Sequence, residues 1–100
     1  MNNKINFLPI GSVVLLKEAT KAVMIVGYCV VVKEQKKVYD YSAVLYPEGF
    51  IGSDKSLVFD HKDIAKVLAN GYSNEEEKEF RRKLSTEIER IVKETIEELK

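Results

Sequence analysis

The sequence has no tryptophan, one cysteine, one histidine and two prolines, and its sixteen basic and sixteen acidic side chains cancel. Each shortage excludes something. A lone Cys29 cannot form an internal disulfide, so the fold holds without covalent staples and suits a reducing compartment. With His61 the sole histidine, no His/Cys cluster has zinc-ligand spacing. A chain without a basic excess is poorly suited to tracking a phosphate backbone, so nucleic acid is not the expected partner. The longest apolar run is broken by Gly27 and Tyr28 and falls short of the ~20 residues a membrane span needs. The start, MNNKINFLPIG, has one lysine and no extended apolar core, so it is no standard signal peptide. A cytoplasmic protein with no membrane span is the expectation.

What is present is enough for one small fold. The 100 residues are 45% apolar and 32% charged, within the range of globular domains and too apolar for disorder. The chain reads as a single domain, residues 1–100. Residues 1–72 form a sheet plus a short helix, and residues 73–100 form a long C-terminal helix. The organising stretch is 22–33, AVMIVGYCVVVK, whose β-branched residues suit a strand with neighbours on both sides, with Gly27 as a bulge or bend. Residues 12–17 read as the strand before it and residues 38–46 as the strand after it. The polar links between them are too short for crossover helices, so the pairings are antiparallel. Both faces of the first two strands are apolar. Helices, barrel-like curling or a partner chain must therefore cover both.

Residues 1–8 read as a loose lead-in. Residues 47–56, PEGFIGSDKS, form a loop whose Phe50 and Ile51 either plug an edge of the core or make a contact surface. Residues 57–59 read as a short edge strand. Asp60 has the chemistry of an N-cap for a short helix over 61–70, closed by Gly71. The expected class is therefore α+β: an antiparallel meander of about four strands, a short helix, then a long amphipathic helix. That last helix starts at a capping-box pair, Ser73 and Glu76. Its apolar stripe runs through Phe80, Leu84, Ile88, Ile91, Val92, Ile96 and Leu99. At 1.5 Å per residue it is roughly 40 Å long. A small sheet is only about 20 Å along its strands. The far end, with Ile88, Ile91, Val92, Ile96 and Leu99, is thus a candidate protein-binding strip, and Phe50 and Ile51 are a second candidate.

Catalytic chemistry has little to stand on. His61 could pair with Cys29 or a serine, oriented by Asp60 or Asp63, yet it sits among residues that suit caps. Cys29 lies in the strongest strand, where a cysteine is usually a small inert hydrophobe. Asp54, Asp60 and Asp63 do not follow the calcium-loop pattern. Tyr28, Tyr39, Tyr41 and Tyr46 could stack bases on a sheet face, the basis of an alternative reading as a nucleic-acid-binding sheet domain. In an antiparallel sheet such tyrosines more often pack. No catalytic residue, cofactor or metal site is expected.

Three segments carry a family resemblance: FLPIGSVVLLKEATKAVMIVG, YDYSAVLYPEGF and FDHKDIAKVLANGYSNEEEKEF. Over roughly residues 7 to 80 the chain resembles a small family of unknown-function proteins of Gram-positive bacteria, encoded beside type VII secretion genes and LXG-toxin operons. The resemblance implies an accessory of type VII secretion, an adaptor, targeting factor or chaperone. Its partner would be an LXG-type toxin or a small helical secretion protein. A homodimer is compatible with the same apolar strip. The matching residues Gly11, Tyr46, Pro47, Gly49, Asp60 and Gly71 are turn and cap types, and the resemblance brings no catalytic residue with it.

Overall fold

A computed structural model describes residues 5–98. Five strands and one helix follow in order: β1 (Val13–Leu16), β2 (Val23–Val32), β3 (Lys37–Leu45), β4 (Leu57–Phe59), β5 (Ile64–Ala69) and α1 (Glu75–Glu98). All neighbours in the sheet are antiparallel, in the order β4-β3-β2-β1-β5. The class is α+β, and the first four strands form the expected meander. β2 is the long central strand, and its register against β3 slips between Ile25 and Gly27. A Cβ at Gly27 would lie 2.5 Å from Ser42 Oγ, so glycine keeps the bulge tight.

The short helix expected over 61–70 is not formed. Asp60 does begin a turn, since its N–H donates to Asp63 Oδ2 at 3.0 Å, but that turn is a single 3-10 turn, His61–Asp63. The chain then extends into β5, which pairs with the otherwise open edge of β1. Ala65, Lys66 and Leu68 are good helix formers, but single-residue propensities are small and satisfying a strand's backbone against the open edge of β1 outweighs them. Gly71 is therefore no helix cap. A Cβ there would lie 2.0 Å from Ile10 O, and its N–H donates to the hydroxyl of the fully buried Ser12 at 3.0 Å. Close approach of two backbones demands glycine at this point.

The sheet is rolled. Five strands laid flat at about 4.8 Å spacing would separate their edges by about 19 Å. Phe59 and Ile64, on opposite edges, are joined only by residues 60–63. That link is bonded on both sides. Asp63 O accepts the Lys17 N–H at 2.9 Å beyond β1, while His61 N–H donates to Asp40 Oδ2 at 2.8 Å on β3. Rolling covers the inner face, where Val14, Val23, Ile25, Tyr41, Ala43 and Phe59 are buried.

Residues 5–8, expected as a loose lead-in, instead complete the core. Phe7 is 2% exposed and sits edge-on to Tyr28 and Tyr41, with ring centroids 5.5 and 5.6 Å away. The backbone around it is held by side chains. Leu8 N–H donates to Tyr41 Oη at 3.0 Å, Tyr28 Oη donates to Leu8 O at 2.5 Å, and Arg81 Nη1 donates to Phe7 O at 2.9 Å. Ser85 Oγ donates to Ile5 O at 2.5 Å, so this N-terminal strap runs between sheet and helix.

Helix α1 lies over the strap. Its cap is Asn74, whose Oδ1 accepts the Glu77 N–H at 2.9 Å, and Ser73 bonds the Glu77 carboxylate rather than Glu76. Ile88 enters the core, with Leu84 and Val92 packed against it. Glu77 pairs with Arg81, both partly buried, whereas Glu79 pairs on the surface with Arg82, three residues on.

Candidate functional site

The cluster richest in titratable groups is at the corner joining β4 to β5. Tyr41 Oη and His61 Nδ1 are 2.7 Å apart. Because Tyr41 Oη already accepts the Leu8 N–H, its own proton is free to go to Nδ1. Asp40 accepts the His61 N–H, and Lys37 Nζ meets Asp60 Oδ2 at 3.0 Å. Burial raises the Tyr41 hydroxyl above its ordinary range, pushes Tyr28 up to about 12, and raises the Asp40 carboxyl. Cys29, opposite Asp40 across the hairpin, is pushed up to about 11 by burial and then by that carboxylate. A thiol so raised is protonated at neutral pH and a weak nucleophile. Among the described residues no group of three or more His, Cys, Asp or Glu could hold a metal ion. The corner functions as a polar latch: it ties β3, the 60–63 link and the strap together. Two of the four tyrosines considered for base stacking, Tyr28 and Tyr41, are committed to it.

The expected protein-binding residues divide. Ile88 is 7% exposed and belongs to the domain's own core, with Val92 against it. Ile91 and Ile96 are half-buried, and Leu99 lies outside the described residues. Ile88 and Val92 also line a hollow of about 350 Å³ with Ile5, Asp40, Glu89 and Lys93. The strip is thus mostly a packing face up to Val92. Phe50 and Ile51 are different: at 69% and 55% exposed they do not plug the core. They follow the turn at the cis Tyr46–Pro47 bond, with Gly49 at φ 79°.

Sequence reasoning missed further exposed apolar side chains along and after β5. Val67, Leu68 and Tyr72 are 40%, 47% and 80% exposed, and Ile10, whose backbone touches Gly71, is 44% exposed. The signal was present in the order of residues 64–72, but a helix reading turns Val67 and Leu68 inward.

The family comparison fits this anatomy. Residues 7–80 match the family described as a domain of unknown function, DUF4176. The chain belongs to that family. The DUF4176 segment begins at Phe7, the plug of the strap, and ends at Phe80, whose ring lies 6.0 Å from that of Tyr28. It therefore contains the whole rolled sheet, the latch and the exposed apolar residues of the 46–51 turn and of β5, and leaves most of α1 outside. No curated protein and no solved structure matches the chain. Among the described residues no helix is long and apolar enough to cross a membrane.

Proposed function

We propose that this chain is a non-enzymatic accessory protein that works by binding another protein. The observation that carries this reading is the large apolar side chains left in water when the core is complete. Phe50 and Ile51 stand on one turn at 69% and 55% exposed, and Tyr72 is 80% exposed. Exposed large aromatic and aliphatic side chains are the usual anchors of protein interfaces. The groups able to do chemistry are spent on the latch, and Cys29 is half-buried with a raised pKa. The finer reading is an adaptor, targeting factor or chaperone of type VII secretion. It acts in the cytoplasm on an LXG-type toxin or its small helical partner. What supports it is the likeness of LPIGSVVLLK, LYPEG with Phe50, and the Phe59-Asp60-His61 start to proteins of Gram-positive bacteria encoded beside such toxins.

The test is co-expression of the tagged chain with an LXG-type toxin and its small helical partner. Co-elution is expected. Phe50→Glu combined with Ile51→Glu should lower recovery without shifting the melting temperature, because both side chains are already in water. Failure of the intact chain to retain any such toxin would refute the secretion reading. A catalytic activity that His61→Ala abolishes in a folded chain would refute the non-enzymatic one.

A further inference from the structure

We propose that the free edge of β5, with the hollow beside it, receives an extended acidic segment of a partner protein as a sixth strand. This names a surface and a partner chemistry for the binding role, and rests on that role.

Three observations converge. First, β5 ends the sheet: it bonds β1 on one side, and among the described residues nothing pairs with the other. About every second residue of this six-residue strand points its N–H and C=O away from β1 and offers them to a newcomer. Second, an open hollow of about 420 Å³ lies along this strand and the strap. Its apolar lining is Leu8, Ile64, Ala65 and Val67, with Lys62 and Lys66 also on it beside Asn6 and His61. Third, the charge is one-sided. Lys62 and Lys66 are exposed, and among the described residues no carboxylate pairs with either. The acids nearby are engaged elsewhere: Asp63 accepts the Asp60 N–H, and Asp60 is paired with Lys37. A strand with acidic side chains meets the lysines, and its alternate apolar side chains meet the lining.

The other occupants fit worse. A second copy added edge to edge would bring two lysine rims together. A nucleic acid would find only two lysines, a chain of zero net charge and a hollow lined by no Phe, Tyr or Trp ring.

The probe is a heptapeptide alternating valine and glutamate, titrated into the isotopically labelled full chain and followed by amide shifts. The expected result is shift changes concentrated at Leu8 and residues 62–68, with slowed exchange of β5 amides. The same peptide with lysine for glutamate, and oligothymidylate, should bind at least tenfold more weakly. Lys62→Glu with Lys66→Glu should weaken the glutamate peptide at least tenfold at an unchanged melting temperature. No binding, equal binding of the lysine peptide, tighter binding of oligothymidylate, or shifts elsewhere would each overturn the proposal. The two ideas fail separately. If toxin still co-elutes but the peptide does not bind, the β5 edge is wrong and the accessory role stands. If the peptide binds β5 but no toxin is retained, the secretion role is wrong.

Discussion

β4 and β5 are the two edges of one sheet and solve the same problem in opposite ways. An exposed strand edge invites unwanted pairing. β4 avoids this by being short: three residues, with Phe59 3% exposed and its ring 5.5 Å from that of Tyr41. β5 is twice as long, and every residue in it except Ile64 is exposed. Its protection is charge, from Lys66 in the strand and Lys62 before it. A short edge sealed into the core can only stabilise; a long one guarded by lysines can be opened by a partner that neutralises them. The same division runs through the rest of the molecule. The strap, the tyrosine latch and the middle of α1 hold the fold, while the 46–51 turn and residues 65–70 are largely exposed.

That contrast can be broken most forcefully from the sealed side. Phe59→Ala and Phe7→Ala each remove a ring from a filled core, and each should cost about 3–5 kcal/mol. For a domain of this size that is a large part of the total, so denaturant melts should shift strongly or collapse. Costs below about 1 kcal/mol would mean that these rings are not the centre of the core.

A milder probe is alkaline pH. Burial holds Tyr28 up to about 12, and the buried Tyr41 is raised as well, against an ordinary value near 10. The folded state therefore keeps protons that the unfolded chain releases, and stability falls as pH rises through that window. The stabilisation is complete below about pH 10 and lost progressively toward pH 12. Melts of the intact chain should show this loss, and Tyr28→Phe should make it shallower. A flat profile from pH 9 to 11.5 would mean that the hydroxyls are not buried in the latch.

The smallest effect belongs to the open side. Leu68→Ala should change stability by no more than about 0.5 kcal/mol, because the side chain is 47% exposed on an edge. A cost of 2 kcal/mol or more would place β5 in the core and erase the contrast.

The sealed side was the more legible from sequence. Short polar links and β-branched runs specify the meander, Gly27 marks its bulge, and the steps of three and four in residues 80–96 specify α1. The strap was missed because four residues, INFL, show no periodicity, and only the rolled sheet creates the gap that Phe7 fills. β5 was missed because Ala-Lys-Val-Leu-Ala suits a helix locally. The vacant edge of β1 that overrides this preference is a property of the assembled sheet. The candidate surface shared that fate. A contact surface at Phe50 and Ile51 is one of the two readings their loop allows, whereas a helical pattern over 61–70 hides the exposed side chains of β5. Ile88 shows the converse, a stripe residue that the fold takes for itself.

Residue-resolved amide exchange on the free, intact chain bears most directly on the claim that one edge is closed and the other open. The slowest amides should be those of the core strands and the strap, with Ile25, Tyr41 and Leu8 among them. The amides of residues 65–69 that point away from β1 should exchange orders of magnitude faster. If those amides proved as protected as the β2–β3 ladder, β5 would not be a free edge and the account would be contradicted.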